Sequence, residues 1–129
     1  MFIQVQNMHF AELNDAVRKS ACPDITLNEV VGQRYIGCGS SGRNITVHGT
    51  PGNALGAYLN GSRIEVFGNG QDATGDTMND GRIIIHGNCG DTTGYGMRGG
   101  KILIEGNAGY RVGIHIDRKS TRLNSSHRL

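Results

Sequence analysis

The chain has 129 residues, room for one domain with a modest core, and 21 of them are glycine, over twice the usual share of about 7%. Glycine without a Gly-X-Y period excludes collagen, and no run of about 18 apolar residues marks a membrane span. The formal charge of +2 is concentrated in residues 117–129, where Arg118, Lys119, Arg122 and Arg128 face one Asp117. The remaining body is near neutral, so neither a nucleic acid nor a membrane is an expected partner. The opening "MFIQVQNMHF" lacks the basic and apolar regions of a secretory signal, and a cytoplasmic setting is expected. Cys22, Cys38 and Cys89 are scattered with no CxxC, which reads as reduced thiols and not as metal or cluster ligands.

In chain order, "HFAELNDAVRKSA" comes first and places Phe10, Leu13, Val17 and Ala21 on one helical stripe. Cys22-Pro23-Asp24 ends that helix, and residues 1–24 form an N-terminal segment whose helix caps an open end or docks a partner. "ITLNEVVGQRYIG" then reads as extended chain leading into the main body, residues 25–116.

That body repeats every 19 residues. The segments "GRNITVHGTPGNALGAYLN", "GSRIEVFGNGQDATGDTMN", "DGRIIIHGNCGDTTGYGMR" and "GGKILIEGNAGYRVGIHI" align without a gap. Ile45, Ile64, Ile83 and Ile102 form one apolar column, and Val47, Val66, Ile85 and Ile104 form a second. Leu59, Met78, Met97 and Ile116 form a third. Glycine recurs at Gly49, Gly68, Gly87 and Gly106, and again at Gly56, Gly75, Gly94 and Gly113. Between those columns lie Gly52, Gln71, Gly90 and Gly109. Apolar residues two apart share a strand face, and the following glycine is expected to end the strand in a turn of positive φ. One such unit is too thin to bury its own apolar side, whereas parallel stacking at about 4.8 Å piles each column on its copy. The expected fold is therefore all-β: a parallel β-helix of about four 19-residue rungs with a short N-terminal capping helix. Hexapeptide coils advance by eighteen per turn, and calcium-binding nonapeptide coils need an Asp column beside glycine pairs, so neither fits.

The outward columns hold the candidate chemistry. His48, Phe67, His86 and Glu105 share one column, but the histidines lie two rungs apart, roughly 9–10 Å, too far to share a zinc ion. Arg63, Arg82 and Lys101 form a basic column near Glu65 and Glu105, which suits ion pairing or an anion. Asn69, Asn88 and Asn107 follow their glycines and suit stacked amides in a turn. The GxxGxxxG spacing precedes no helix, so phosphate binding of the dinucleotide type is disfavoured. No catalytic, cofactor-binding or metal residue is assigned to the chain.

The repeat, with "VVGQRYIG", "GTPGNALGAYLNG", "MNDGRIIIHGNCGD" and "YGMRGGKILIEGNAGYRVGIHI", resembles the GXGXG domain of the glutamate synthase large (alpha) subunit. It is especially similar to the compact, separately encoded form of archaea and anaerobic bacteria. A related coil occurs in the β-helical subunit of formylmethanofuran dehydrogenase, and an independent ligand-binding coil using the basic column is a further alternative. The resemblance implies a right-handed β-helix that is structural, bracing glutaminase-type and FMN-binding synthase domains or subunits. FMN and an iron–sulfur cluster would belong to those partners. The family's coil continues for more rungs than the four found in this chain.

"DRKSTRLNSSH", residues 117–127, resembles a translated sequencing adapter and lacks the register of the repeat. Residues 117–129 are accordingly expected to be a non-native, disordered tail, with Ile116 standing where the family has Met. The coil would then end on an unpaired edge through which the protein self-associates.

Overall fold

Alternation of β-branched and polar residues drives each repeat into a strand, and the computed structural model describes residues 1–109. Strands β1 (Phe2–Gln4), β2 (Asp24–Val31), β3 (Asn44–Thr50), β4 (Asn60–Phe67), β5 (Asp80–Ile85) and β6 (Lys101–Ile104) lie side by side in that order. Every pairing is parallel. The architecture is a β-solenoid of about four turns with one short helix, α1 (Phe10–Lys19), near the N-terminus. Within the isoleucine column the register is the expected one: Ile45 faces Ile64, Ile64 faces Ile83, and Ile83 faces Ile102. All eight residues of the two inward strand columns are buried. Met78 and Met97 are buried above Leu59.

The sheet begins earlier than the repeat suggests. Asp24 pairs with Asn44, a spacing of 20, and the register slips between Leu27 and Val30, where Glu29 has a φ of 55°. That bulge adds one residue, so β2 is a full rung hidden from a search at 19. Ile25 and Leu27 extend both apolar columns downward, and Ile3 of β1 lies below Leu27.

The opposite side of each turn is not a second strand. Residues 35, 54, 73 and 92 have positive φ, as do 37, 56, 75 and 94, and then 39, 58, 77 and 96. Backbone bonds zip this side in both directions: Gly56 N donates down to Ile36 O, and Tyr58 N donates up to Asp76 O. Inside it runs a fourth buried column, Ile36, Leu55, Thr74 and Thr93. The two threonines satisfy their hydroxyls within their own turns, on the carbonyls of Gln71 and Gly90.

The glycine columns therefore serve two purposes. Gly49 has the positive φ expected after the strand, and Gly56, Gly75 and Gly94 are left-handed as well. Gly68, Gly87 and Gly106 do not, against the positive φ expected of the column after the strand, and neither do Gly52, Gly90 and Gly109. They are required by crowding. A Cβ on Gly68 would meet the carbonyl oxygen of Gly49, and one on Gly90 would meet Asp72 Oδ1, both far inside contact distance.

Helix α1 starts at His9, whose Nδ1 accepts from Ala11 N, and carries Glu12 in its first turn and Arg18 and Lys19 in its last. Leu13 and Val17 enter the core as the stripe requires. Phe10 is only half-buried, stacked on His9 beneath the Arg34 guanidinium, and Ala21 is exposed beyond the helix. The helix lies against the first turn segment, since Asn14 Nδ2 donates to Arg34 O and Arg43 donates to Arg18 O and Ser20 O. Buried Gln33 ties the chain before the helix by donating to Gln6 O and Met8 O. Gly113, Ile116 and the stretch 117–129 lie outside the described residues.

Candidate functional site

The polar side chains singled out by the repeat stand on the outer strand face and at its corner. Arg63 and Glu65, two apart on β4, point to the same side and pair at 3.0 Å. Glu65 also binds His86 Nε2 at 2.7 Å, and His86 Nδ1 meets Glu105 at 3.0 Å. His86 thus clasps a carboxylate from the rung below and one from the rung above. Its pKa is raised, first by the bond to Glu65 and then by that to Glu105. The Glu65 carboxyl is held below its ordinary range by His86, with Arg63 adding to it. Below this clasp the rings of His48, Phe67 and His86 stack nearly parallel, with centroids 5.1 Å and 4.6 Å apart. Phe67 therefore separates the two histidines. Among the described residues no group of three or more His, Cys, Asp or Glu is placed to hold a metal ion.

The basic column divides. Arg63 is held by Glu65 and by Asn44 Oδ1 at 3.2 Å. Arg82 and Lys101 are exposed and border a shallow cleft of about 270 Å³ with Asp80, Gly81 and Gly100. Glu105 turns to His86 and not to Lys101, because the imidazole is the neighbour directly below it in its own column.

At the corner, Asn69 Oδ1 accepts from Asn88 N, and Asn88 Oδ1 from Asn107 N, both at 2.8 Å. A second ladder repeats the device: Asn53 Oδ1 accepts from Asp72 N, and Asp72 Oδ1 from Asp91 N. Sequence reasoning found the first ladder and missed the second, although Asn53, Asp72 and Asp91 are also 19 apart. The Oδ1 atoms of Asn69, Asn88, Asp72 and Asp91 occupy the space that a Cβ would need on Gly87, Gly106, Gly90 and Gly109. The glycine and Asx columns are one feature: the first makes room for the second.

The three cysteines are free. Cys89 is buried above Gly70, where a Cβ would come within 2.8 Å of its Sγ, and burial pushes its thiol pKa up. A protonated, enclosed thiol packs and does not react. Among the described residues no helix is long and apolar enough to cross a membrane.

With this geometry in view, the family described as GXGXG motif matches residues 15–123, from the middle of α1 through every later rung. No curated protein and no solved structure matches the chain.

Proposed function

This chain belongs to the GXGXG motif family, and from that premise we propose that it is a structural brace in a glutamate synthase-type complex. The observation that carries the reading is where its polar side chains are spent. Glu65, His86 and Glu105 join three successive rungs. Asn53, Asp72, Asn69 and Asn88 each bond a backbone N–H one rung up. Groups that could do acid–base or ligand chemistry are thus engaged in stiffening a coil, and a rigid coil suits the positioning of other domains. In this reading glutaminase-type and FMN-binding synthase chains dock on the brace in the cytoplasm. Glutamine hydrolysis and glutamate formation, with FMN and an iron–sulfur cluster, take place in them. We also read residues 117–129 as translated adapter, which sequencing the source gene across codon 116 checks.

Affinity purification of the full chain from its source cells is the test of the brace. Recovery of a glutaminase-type or FMN-binding chain in stoichiometric amount is expected, together with glutamine-dependent glutamate formation by the recovered complex. Recovery of molybdopterin-binding subunits would instead assign the chain to a formylmethanofuran dehydrogenase-type complex. Recovery of neither would remove the brace reading.

A further inference from the structure

The turn ladder has a repeated downward bond, and its first rung has nothing beneath it to receive one. Gly56, Gly75 and Gly94 donate to Ile36 O, Leu55 O and Thr74 O, each one turn below. Asn60, Asn79 and Arg98 donate in the same way to Ser40 O, Leu59 O and Met78 O. The residues in these places on the first turn are Gly37 and Ser41. Among the described residues neither of their N–H groups has a partner, because helix α1 occupies the level where a lower turn would supply carbonyls.

Both residues line a cavity of about 280 Å³ between α1 and the first turn. Asn14, Arg18, Cys38 and Arg43 line it as well. Two arginines therefore line the same cavity as the two orphan backbone donors. Arg43 is anchored on helix carbonyls, so it is a fixed charge. Arg18 shares Asp15 with Lys19 and keeps donors to spare. Cys38 N and Gly39 N are committed to Tyr35 O and Ala57 O, so Gly37 N and Ser41 N are the backbone donors left among the turn residues that line the cavity. Independently, Asn14 is buried and its Oδ1 has no hydrogen-bond partner. An unpaired buried acceptor beside unpaired donors calls for a small ligand that both accepts and donates.

We propose that this cavity binds one oxyanion group, a carboxylate or a phosphate. Its oxygens accept from Gly37 N, Ser41 N and Arg18, and a hydroxyl or bound water donates to Asn14 Oδ1. The site lies at the helix end of the coil, remote from the Glu65–His86 clasp and from the basic column at Arg82. It goes beyond the brace reading and stands or falls separately.

The test is a titration of the full chain with inorganic phosphate and, separately, with acetate, followed by amide NMR. Saturable shifts of the Gly37 and Ser41 amides are expected for at least one probe, with slower exchange of both amides. A response to phosphate alone assigns a phosphate ligand; a response to acetate assigns a carboxylate. Arg18→Gln removes an exposed charge and should weaken binding about threefold to tenfold, whereas Cys38→Asp, which places a carboxylate in the cavity, should abolish it. Substitutions at these two exposed positions should leave the spectrum of the remaining rungs unchanged, so loss of binding cannot be mistaken for unfolding. No saturable shift with either probe would overturn the proposal. So would shifts of equal size at Arg82 and Lys101, or binding that survives both substitutions.

Discussion

On its strand face this coil resembles any parallel sheet, and on its turn face it resembles almost none, yet both are stacked by the same step. The strand face tolerates ordinary backbone and depends on what its side chains bury. The turn face places three left-handed residues in every rung, each a conformation that costs an L-residue about 1–2 kcal/mol alone. Ala54, Tyr58, Ala73, Thr77 and Thr92 adopt it without being glycine. Left-handed φ therefore does not explain the recurrent glycine at 37, 56, 75 and 94. The difference is direction. A Cβ on Gly37, Gly56 or Gly75 would meet an isoleucine Cδ1 of the strand columns at 2.5–2.7 Å, while Tyr58 points into solvent. The strand face thus dictates which turn residues must be glycine, and the two faces are one packing problem.

Removing the shared element should do the most damage. Ile64 is fully buried, paired between Ile45 and Ile83, and its Cδ1 fills the space beside both Gly37 and Gly56. Ile64→Ala should cost about 2–5 kcal/mol in urea unfolding, the range for a large-to-small change in a core. A loss under about 1 kcal/mol would mean that the faces are not interlocked there.

Gly56→Ala probes the same contact from the turn side, and about 1–3 kcal/mol of destabilisation is expected. The nearest obstacle is Ile83 Cδ1 at 2.6 Å, an atom that Ile83→Val removes. The double variant should therefore lose at least about 0.5 kcal/mol less than the two single losses added together. Strict additivity would show that backbone strain, and not the neighbouring face, sets the glycine requirement.

This interlocking also explains what could be read in advance. Isoleucine and valine recur at a fixed spacing because a strand column asks for one shape at every level, so the four upper rungs were legible. The lower rung was hidden by the single extra residue at Glu29. The turn column is not legible as an apolar repeat because it changes from Ile36 and Leu55 to Thr74 and Thr93, side chains that fill the same place but differ in polarity. The recurrence of glycine is legible but its cause is not: at Gly87 and Gly106 the constraint comes from Asn69 and Asn88 one rung below, which spacing alone does not distinguish from a turn. The roles of Asn14, Gln33 and Arg43 depend on where α1 meets the coil, and no repeat encodes that.

The corner between the faces should be softer. Asn88 Oδ1 accepts from Asn107 N, and the Asn88 amide in turn rests on Asn69. Asn88→Ala leaves the core intact and removes one acceptor near solvent, so about 0.5–1.5 kcal/mol is expected. Faster hydrogen exchange at the Asn107 amide, with no change at Ile83, would locate the effect. Exchange rising equally at both would mean that the ladder governs the core.

The smallest effect belongs to the outer clasp, where neither face is buried. His86 has a raised pKa in the folded chain, so its contribution is complete below the ordinary value of 6.5 and is lost as pH rises through the folded value. Glu65 has a lowered pKa, so its contribution is present above its ordinary 4.5 and is lost as pH falls through the folded value. The clasp is therefore strongest between those two limits. Its partly exposed charges limit it to less than about 1 kcal/mol. His86→Gln keeps a hydrogen-bonding side chain but cannot titrate. Thermal melting from pH 5 to 8 should show the native chain losing stability on the alkaline side more steeply than the variant. Parallel pH profiles would show that the three rungs are held by their backbones and aromatic stack alone, with the Glu65–His86–Glu105 bridge contributing nothing measurable.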